Sequence, residues 1–242
     1  MTWWRGLRSA AVDLVYPPHC SGCGSLAQTP DLCSTCLTQL WACEKPCCQK
    51  CGETFFPEGT GTFVCQTCQG RDFAFDYAVS PYQSRGVLRE LIHRFKYQRQ
   101  LFLRPLLGRL LAEVMQDERI QDLGQDWITV PVPLHARRYR EREFNQALEL
   151  CRELRERHGV PFVNALKRTR YTSSQTRYRR EQRIENLRGA FVQRRWKVRH
   201  VDGQIVALVD DVFTTGSTAN ECARVLLAAG AKKVVVITLA RG

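Results

Sequence analysis

No stretch of this 242-residue chain approaches the roughly 20 consecutive apolar residues that a membrane-spanning helix needs, and runs such as VVVI at 234–237 have the length of a strand. The N-terminal stretch MTWWRGLRSAAVDLV supplies no unbroken apolar secretion signal, because Arg5, Arg8 and Asp13 interrupt it. Trp3, Trp4, Leu7, Ala10, Ala11 and Leu14 recur instead at near-helical spacing, which favours a helix packed on the rest of the protein over an interfacial membrane anchor. The expected location is the cytoplasm. The sequence also offers no set of nucleophile, base and orienting acid. His135 stands alone in a basic loop, and His19 adjoins Cys20, where it is at most a substitute metal ligand. That lack argues for chemistry run by binding and electrostatics.

Cysteine is scarce over most of the chain. Ten of the twelve lie between residues 20 and 68, and only Cys151 and Cys222 lie beyond, both at apolar helix positions that suit a core. The break in composition sets a boundary near residue 72, giving an N-terminal helix and cysteine module over 1–72 and a larger domain over 73–242. No internal repeat is visible apart from the cysteine pattern itself.

That pattern is doubled: Cys20-x2-Cys23 with Cys33-x2-Cys36, then Cys48-x2-Cys51 with Cys65-x2-Cys68. Each pair sets two thiolates on one tight turn, and two such turns complete the tetrahedral four-sulfur cage that Zn²⁺ prefers. Gly22, Gly24 and Gly52 suit such turns. Disulfides are disfavoured without export, and the spacing fits zinc better than an iron–sulfur cluster. With every position filled by sulfur, the expected zinc is structural. Cys43 and Cys47 are left over as possible replacements, and whether each site takes consecutive or interleaved pairs stays open.

Excess charge, too, is absent from most of the chain. Residues 130–200 hold 19 Lys and Arg against 7 Asp and Glu, so this segment carries the whole formal net charge of +12. Such a field favours a polyanionic partner, either nucleic acid or a polyphosphorylated small molecule.

Beyond residue 72, apolar periodicity marks helices through Val87, Leu88, Leu91, Ile92 and Phe95, through Leu103 to Val114, over about 143–158 and over about 217–229. WITVPV at 127–132, QIVALV at 204–209 and KVVVITLA at 233–240 read as strands apolar on both faces, and their alternation with helices predicts a parallel sheet covered on both sides. The fold class is α/β.

The segment 206–218, VALVDDVFTTGST, is the most specific in the chain. A buried strand ends in Asp210 and Asp211, and Thr214, Thr215, Gly216, Ser217 and Thr218 then open a helix with hydroxyls and backbone N–H groups that suit a phosphate dianion. The adjacent carboxylates suit the vicinal hydroxyls of a ribose, with one of them free to serve structure. After the strand at 127–132, Pro131 and Pro133 stiffen a turn followed by Arg137, Arg138, Arg140 and Arg142. Three readings of this basic stretch stay open. Arg137, Arg138, Arg140 and Arg142 meet a polyphosphorylated ligand, with Thr172, Gln175, Arg179, Arg180 and Arg183 near the same cleft; or the arginines, with Tyr139, Tyr171 and Tyr178, track a single-stranded nucleic acid; or the face is simply solvated.

Residues 206–218 resemble the phosphoribosyl-diphosphate signature of type I phosphoribosyltransferases, with direct matches at Asp210, Asp211 and Thr214 to Thr218. VPVPLHARRYREREFNQA at 130–147, FKY at 95–97, and Arg168, Thr172, Gln175, Arg183, Asn186 and Phe191 are similar to the ComF family of competence proteins, which join a four-cysteine zinc region to a phosphoribosyltransferase domain. One departure is visible: Glu143 stands where the family pattern has Gly before Phe-Asn-Gln. The resemblance implies a type I phosphoribosyltransferase-like sheet, with Asp210 and Asp211 on ribose, the loop on the 5′-phosphate and Mg²⁺ accompanying the diphosphate. It also implies a role in DNA uptake and natural transformation, with contact to single-stranded DNA and to other uptake proteins. The alternative is an active Mg²⁺-dependent phosphoribosyltransferase of nucleotide metabolism, its acceptor unspecified.

Overall fold

The computed structural model describes residues 17–27, 31–54, 63–171 and 187–242. The expected N-terminal helix lies outside them, as do Thr172, Gln175, Tyr178, Arg179, Arg180, Arg183 and Asn186. Among the described residues, a short helix α1 (Ser34–Thr38) precedes strands β1 (Ala78–Val79) and β2 (Tyr82–Gln83) and helices α2 (Gly86–Tyr97), α3 (Arg104–Ala112) and α4 (Glu118–Gln121). Strand β3 (Trp127–Pro131) leads to α5 (Ala136–Arg142) and α6 (Gln146–His158). A hairpin-like pair β4 (Leu166–Arg168) and β5 (Phe191–Gln193) and a short α7 (Arg195–Val198) come before β6 (Ile205–Phe213), α8 (Ser217–Leu227) and β7 (Lys233–Arg241).

The main sheet is parallel, in the order β1-β7-β6-β3, with β2 also pairing along β7. Strands β6 and β7 are apolar at almost every position because both faces are covered. Val206, Leu208, Val234 and Val236 face α8 and its Ala223 and Leu226, while Ala207, Val209, Val235 and Ile237 face α2, α3 and α6 through Leu91, Leu107 and Leu154. Cys151 and Cys222 are fully buried in these two layers, as their helix positions predict.

The cysteine-rich segment is built into this sandwich. Cys20 and Cys36 pack in the layer of α2 and α3, whereas Cys48, Cys51, Cys65 and Cys68 pack in the layer of α8, so the two cysteine groups grip opposite faces of one sheet. Backbone bonds from the Ala78 N–H to the Lys50 carbonyl, 2.9 Å, and from the Gln83 N–H to the Trp41 carbonyl, 2.7 Å, tie the segment to β1 and β2.

Several boundaries differ from the sequence reading. The helix expected from about 143 starts at Gln146, and α5 forms a separate helix before it. Glu143 ends α5 in the left-handed region at φ 70°, a conformation that glycine adopts without steric cost, which gives the physical reason for a glycine at this place in the family pattern. The helix from Ser217 stops at Leu227 rather than near 229. Strand β6 runs on to Phe213, so both acids lie within the strand and not past its end.

Candidate functional site

Because successive residues of a strand face opposite ways, the acids of β6 have different surroundings. Asp211 is buried and forms an ion pair with Lys96 of α2, Nζ to Oδ1 2.7 Å. Asp210 is half-buried, and its Oδ1 accepts the Asp211 N–H at 2.9 Å. Burial and the neighbouring Asp211 charge push the Asp210 carboxyl up to about 7, against the pull of Lys96 and Arg142. Arg168 of β4 also lies within electrostatic reach of Asp210, and its own guanidinium is held below its ordinary value by burial and by Arg138 and Arg142. A carboxylate so placed accepts hydroxyl donors or sits against a cation.

The loop beyond the strand is shaped by packing. Gly216 caps α8 at φ 74°, and a Cβ there would lie 2.8 Å from Phe213 and 3.2 Å from Phe73, so no other residue fits without displacing the rings. Thr214 is exposed and Ser217 buried, with the Ser217 and Thr215 hydroxyls 3.0 Å apart. The first N–H groups of an 11-residue helix thus meet a turn rich in hydroxyls, a geometry that holds an anion.

The basic stretch divides. Arg142 is buried on α5, donates to Gln146 Oε1 at 2.9 Å and lies over the Tyr97 ring. Arg137 is exposed, pairs with Glu141 at 3.1 Å and lies 4.8 Å from the Tyr171 ring centroid, while Arg138 is half-buried. The sequence singles out Arg137 and Arg138; the groups that act electrically on Asp210 are Lys96 and Arg142, together with Arg168. Lys96 and Arg168 belong to stretches quoted for family likeness, yet a lone Lys in an amphipathic helix carries no signal of pairing with a carboxylate 115 positions onward.

The eight expected metal-ligand cysteines gather as consecutive sets, Cys20, Cys23, Cys33 and Cys36, and Cys48, Cys51, Cys65 and Cys68, with the sulfurs of each set within 4.8 Å of one another. The Cys23 and Cys33 sulfurs stand 3.8 Å apart and those of Cys51 and Cys65 3.6 Å, close to the ~3.8 Å edge of a tetrahedron with 2.3 Å zinc–sulfur bonds and far from a disulfide. Backbone N–H groups of Gly22 and Cys33 reach Cys20 Sγ at 3.3 and 3.2 Å, and that of Cys65 reaches Cys48 Sγ at 3.3 Å. Burial and the sulfurs around it push Cys36 up to about 12; Cys20, raised by burial, is brought down to about 6 by its backbone donors. Thiols crowded this way fit a divalent ion that takes the place of their protons. Cys43, Cys47 and His19 stay outside both sets. Gly24 and Gly52 turn at φ 76° and 68°, whereas Gly22 is needed for space, since a Cβ there would meet Cys36 Sγ at 2.8 Å.

Residues 11–69 match the double zinc ribbon domain. The chain is 33% identical to competence protein F of Haemophilus influenzae over 92% of this chain and 95% of that one. It is 34% identical to the DNA utilization protein YhgH of Escherichia coli strain K12, over 87% and 90% of the two chains. It also shows a likeness to the glutamine phosphoribosylpyrophosphate amidotransferase from B. subtilis, with 21% identity and a TM-score of 0.36 over 56% of this chain and 26% of that one, too slight an overlap to carry an argument. Among the described residues no helix is long and apolar enough to cross a membrane.

Proposed function

The chain belongs to the family of competence protein F and the DNA utilization protein YhgH, and from that membership we propose that it serves DNA uptake in natural transformation, using a site for a ribose 5-phosphate ligand, phosphoribosyl diphosphate. The observation that carries the ligand is the half-buried Asp210, set among Lys96, Arg142 and Arg168 and followed at once by the hydroxyl loop on α8. Asp210 accepts a ribose hydroxyl. Asp211, locked to Lys96, ties β6 to α2. Thr214, Thr215, Ser217 and Thr218 and the N–H groups around Gly216 take the 5′-phosphate. Arg142 and Arg168, with Arg137 and Arg138 at the rim, offset the charge of the diphosphate. A carboxylate oxygen of Asp210 is also the hard ligand in this site that would hold Mg²⁺, which when bound neutralises the diphosphate.

The basic segment gives the second half of the reading. Exposed Arg140 and Tyr139, and Arg137 stacked on the exposed Tyr171, offer guanidinium and aromatic faces together, which suits single-stranded DNA held by phosphate contact and stacking. The double ribbon holds the sheet from both faces as a structural zinc module.

Calorimetry tests the ligand. Wild type binds phosphoribosyl diphosphate with Mg²⁺, and Asp210→Asn weakens that binding about tenfold or more, as expected for a lost charged hydrogen-bond partner. A wild type that binds none ends the proposal. For DNA, changing Arg137, Arg138 and Arg140 to Ala flattens the dependence of log K on log salt by about 0.7 for each phosphate contact removed, and an unchanged slope takes those arginines out of the contact.

A further inference from the structure

We propose that the second cysteine cluster is a positioning device for the loop at 214–218, acting through Arg71 and Phe73 on the segment that leaves Cys68. The inference rests on the reading of that loop as a 5′-phosphate cradle and adds what sets the cradle's shape.

The path is short. The turn at Cys65 and Cys68 closes with backbone bonds from Cys68 and Gln69 to the Cys65 carbonyl, and the Arg71 N–H binds the Cys68 carbonyl at 3.1 Å. From there the Arg71 guanidinium reaches across and donates to the Thr215 carbonyl at 3.1 Å, while lying 4.5 Å over the Phe73 ring. Phe73, Phe75 and Phe213 form the wall against which Gly216 packs without room for a Cβ, with ring centroids 4.7 Å apart for the first two and 5.8 Å for the last two. The Ala74 N–H adds a bond of 2.7 Å to Asn220 Oδ1 in the first turn of α8.

A second guanidinium works from the other side. Arg241 lies 3.8 Å from Cys51 Sγ and 3.1 Å from Glu53, and donates to the Phe213 carbonyl at 3.3 Å. Two carbonyls flanking Thr214 are therefore held by arginines anchored at one metal-type cluster. In a trans peptide the C=O and the following N–H point opposite ways, so holding the Thr215 carbonyl on the Arg71 guanidinium aims the Gly216 N–H away from that side chain. A loop so held meets a phosphate with its donors already arranged and loses less freedom on binding. The first cluster is tied elsewhere: Arg94 of α2 donates to the Ser21 carbonyl, and Arg109 of α3 pairs with Asp31 at 2.6 Å.

Calorimetry with ribose 5-phosphate and, separately, inorganic diphosphate with Mg²⁺ tests this on proteins of measured zinc content. In Arg71→Ala, ribose 5-phosphate weakens about tenfold while diphosphate stays within about twofold, and Arg71→Lys, which still donates, recovers most of the loss. Cys68→Ser reproduces the selective loss and Cys36→Ser does not. Should Arg71→Ala fail to fold, Phe73→Leu carries the same expectation. Equal losses for both ligands, equal effects of Cys68→Ser and Cys36→Ser, or unchanged ribose 5-phosphate binding in a folded Arg71→Ala would each overturn the coupling. A wild type that binds neither ligand counts against the phosphate reading itself.

Discussion

Lys96 reaches from the last turn of α2 to place its ammonium 2.7 Å from the Asp211 carboxylate, with side-chain exposures of only 18% and 10%. A pair so enclosed is costly to break from one side, because the remaining charge keeps its burial and loses its partner. Lys96→Ala is expected to destabilise the protein by about 3 kcal/mol in urea unfolding, and Asp211→Ala by a comparable amount. The double variant should lose clearly less than the sum. Full additivity would mean that the two groups do not interact.

Asp210 gives stability a pH dependence of unusual sign. Its carboxyl titrates near 3.8 in an unfolded chain and near 7 in the folded protein, so between these values the folded state binds more protons. This group therefore costs stability as pH rises from about 4 to about 7, and nothing further above that. Asp210→Asn escapes the cost. The stability of the variant minus that of wild type should grow across this window and then level, in urea melts taken at steps of pH; a flat difference would show that the carboxyl titrates normally.

Glu143 holds a left-handed φ of 70° at the end of α5, paired with Arg99 across an exposed surface. An exposed pair contributes little, whereas relief of the left-handed backbone is worth about 1 kcal/mol. Glu143→Gly should therefore raise the thermal midpoint despite losing the ion pair, and a lowered midpoint would show that the pair outweighs the backbone.

Gly108 lies inside α3, where alanine would ordinarily gain about 1 kcal/mol. Here a Cβ would stand 2.3 Å from Glu153 Cγ, and Glu153 is buried between Arg104 at 2.7 Å and Arg157 at 3.0 Å. Gly108→Ala is expected to destabilise by about 1–3 kcal/mol through overpacking, read from denaturant midpoints. A stabilised variant would show that α3 and α6 part easily.

Much of this architecture is written locally. The two-sided apolar runs at 127–131, 205–209 and 233–240 announce buried parallel strands, and the C-x2-C pairs announce their own turns, because both signals depend on neighbours a few residues apart. What the sequence hides is settled by distance. β1 and β2 have two residues each and no periodicity to read; they are strands because β7 lies beside them. Asp210 and Asp211 look equivalent until α2 brings the Lys96 ammonium into ion-pair contact with Asp211. The consecutive grouping of the cysteines and the division of the clusters between the two faces likewise follow from tertiary packing, which spacing does not encode.

The place of β7 bears on how the molecule is made. It is the last strand in sequence, yet it sits between β1 and β6. During synthesis the double ribbon emerges with β1 and β2 directly behind it, and the strand bearing the acids follows much later, but these two halves of the sheet have no bonded neighbour in common until residues 233–241 arrive. Both cysteine clusters lie within the first 68 residues, whereas the loop at 214–218 gains its bond from Arg241 to the Phe213 carbonyl only when β7 is made, so the ribbon precedes the loop in the order of synthesis.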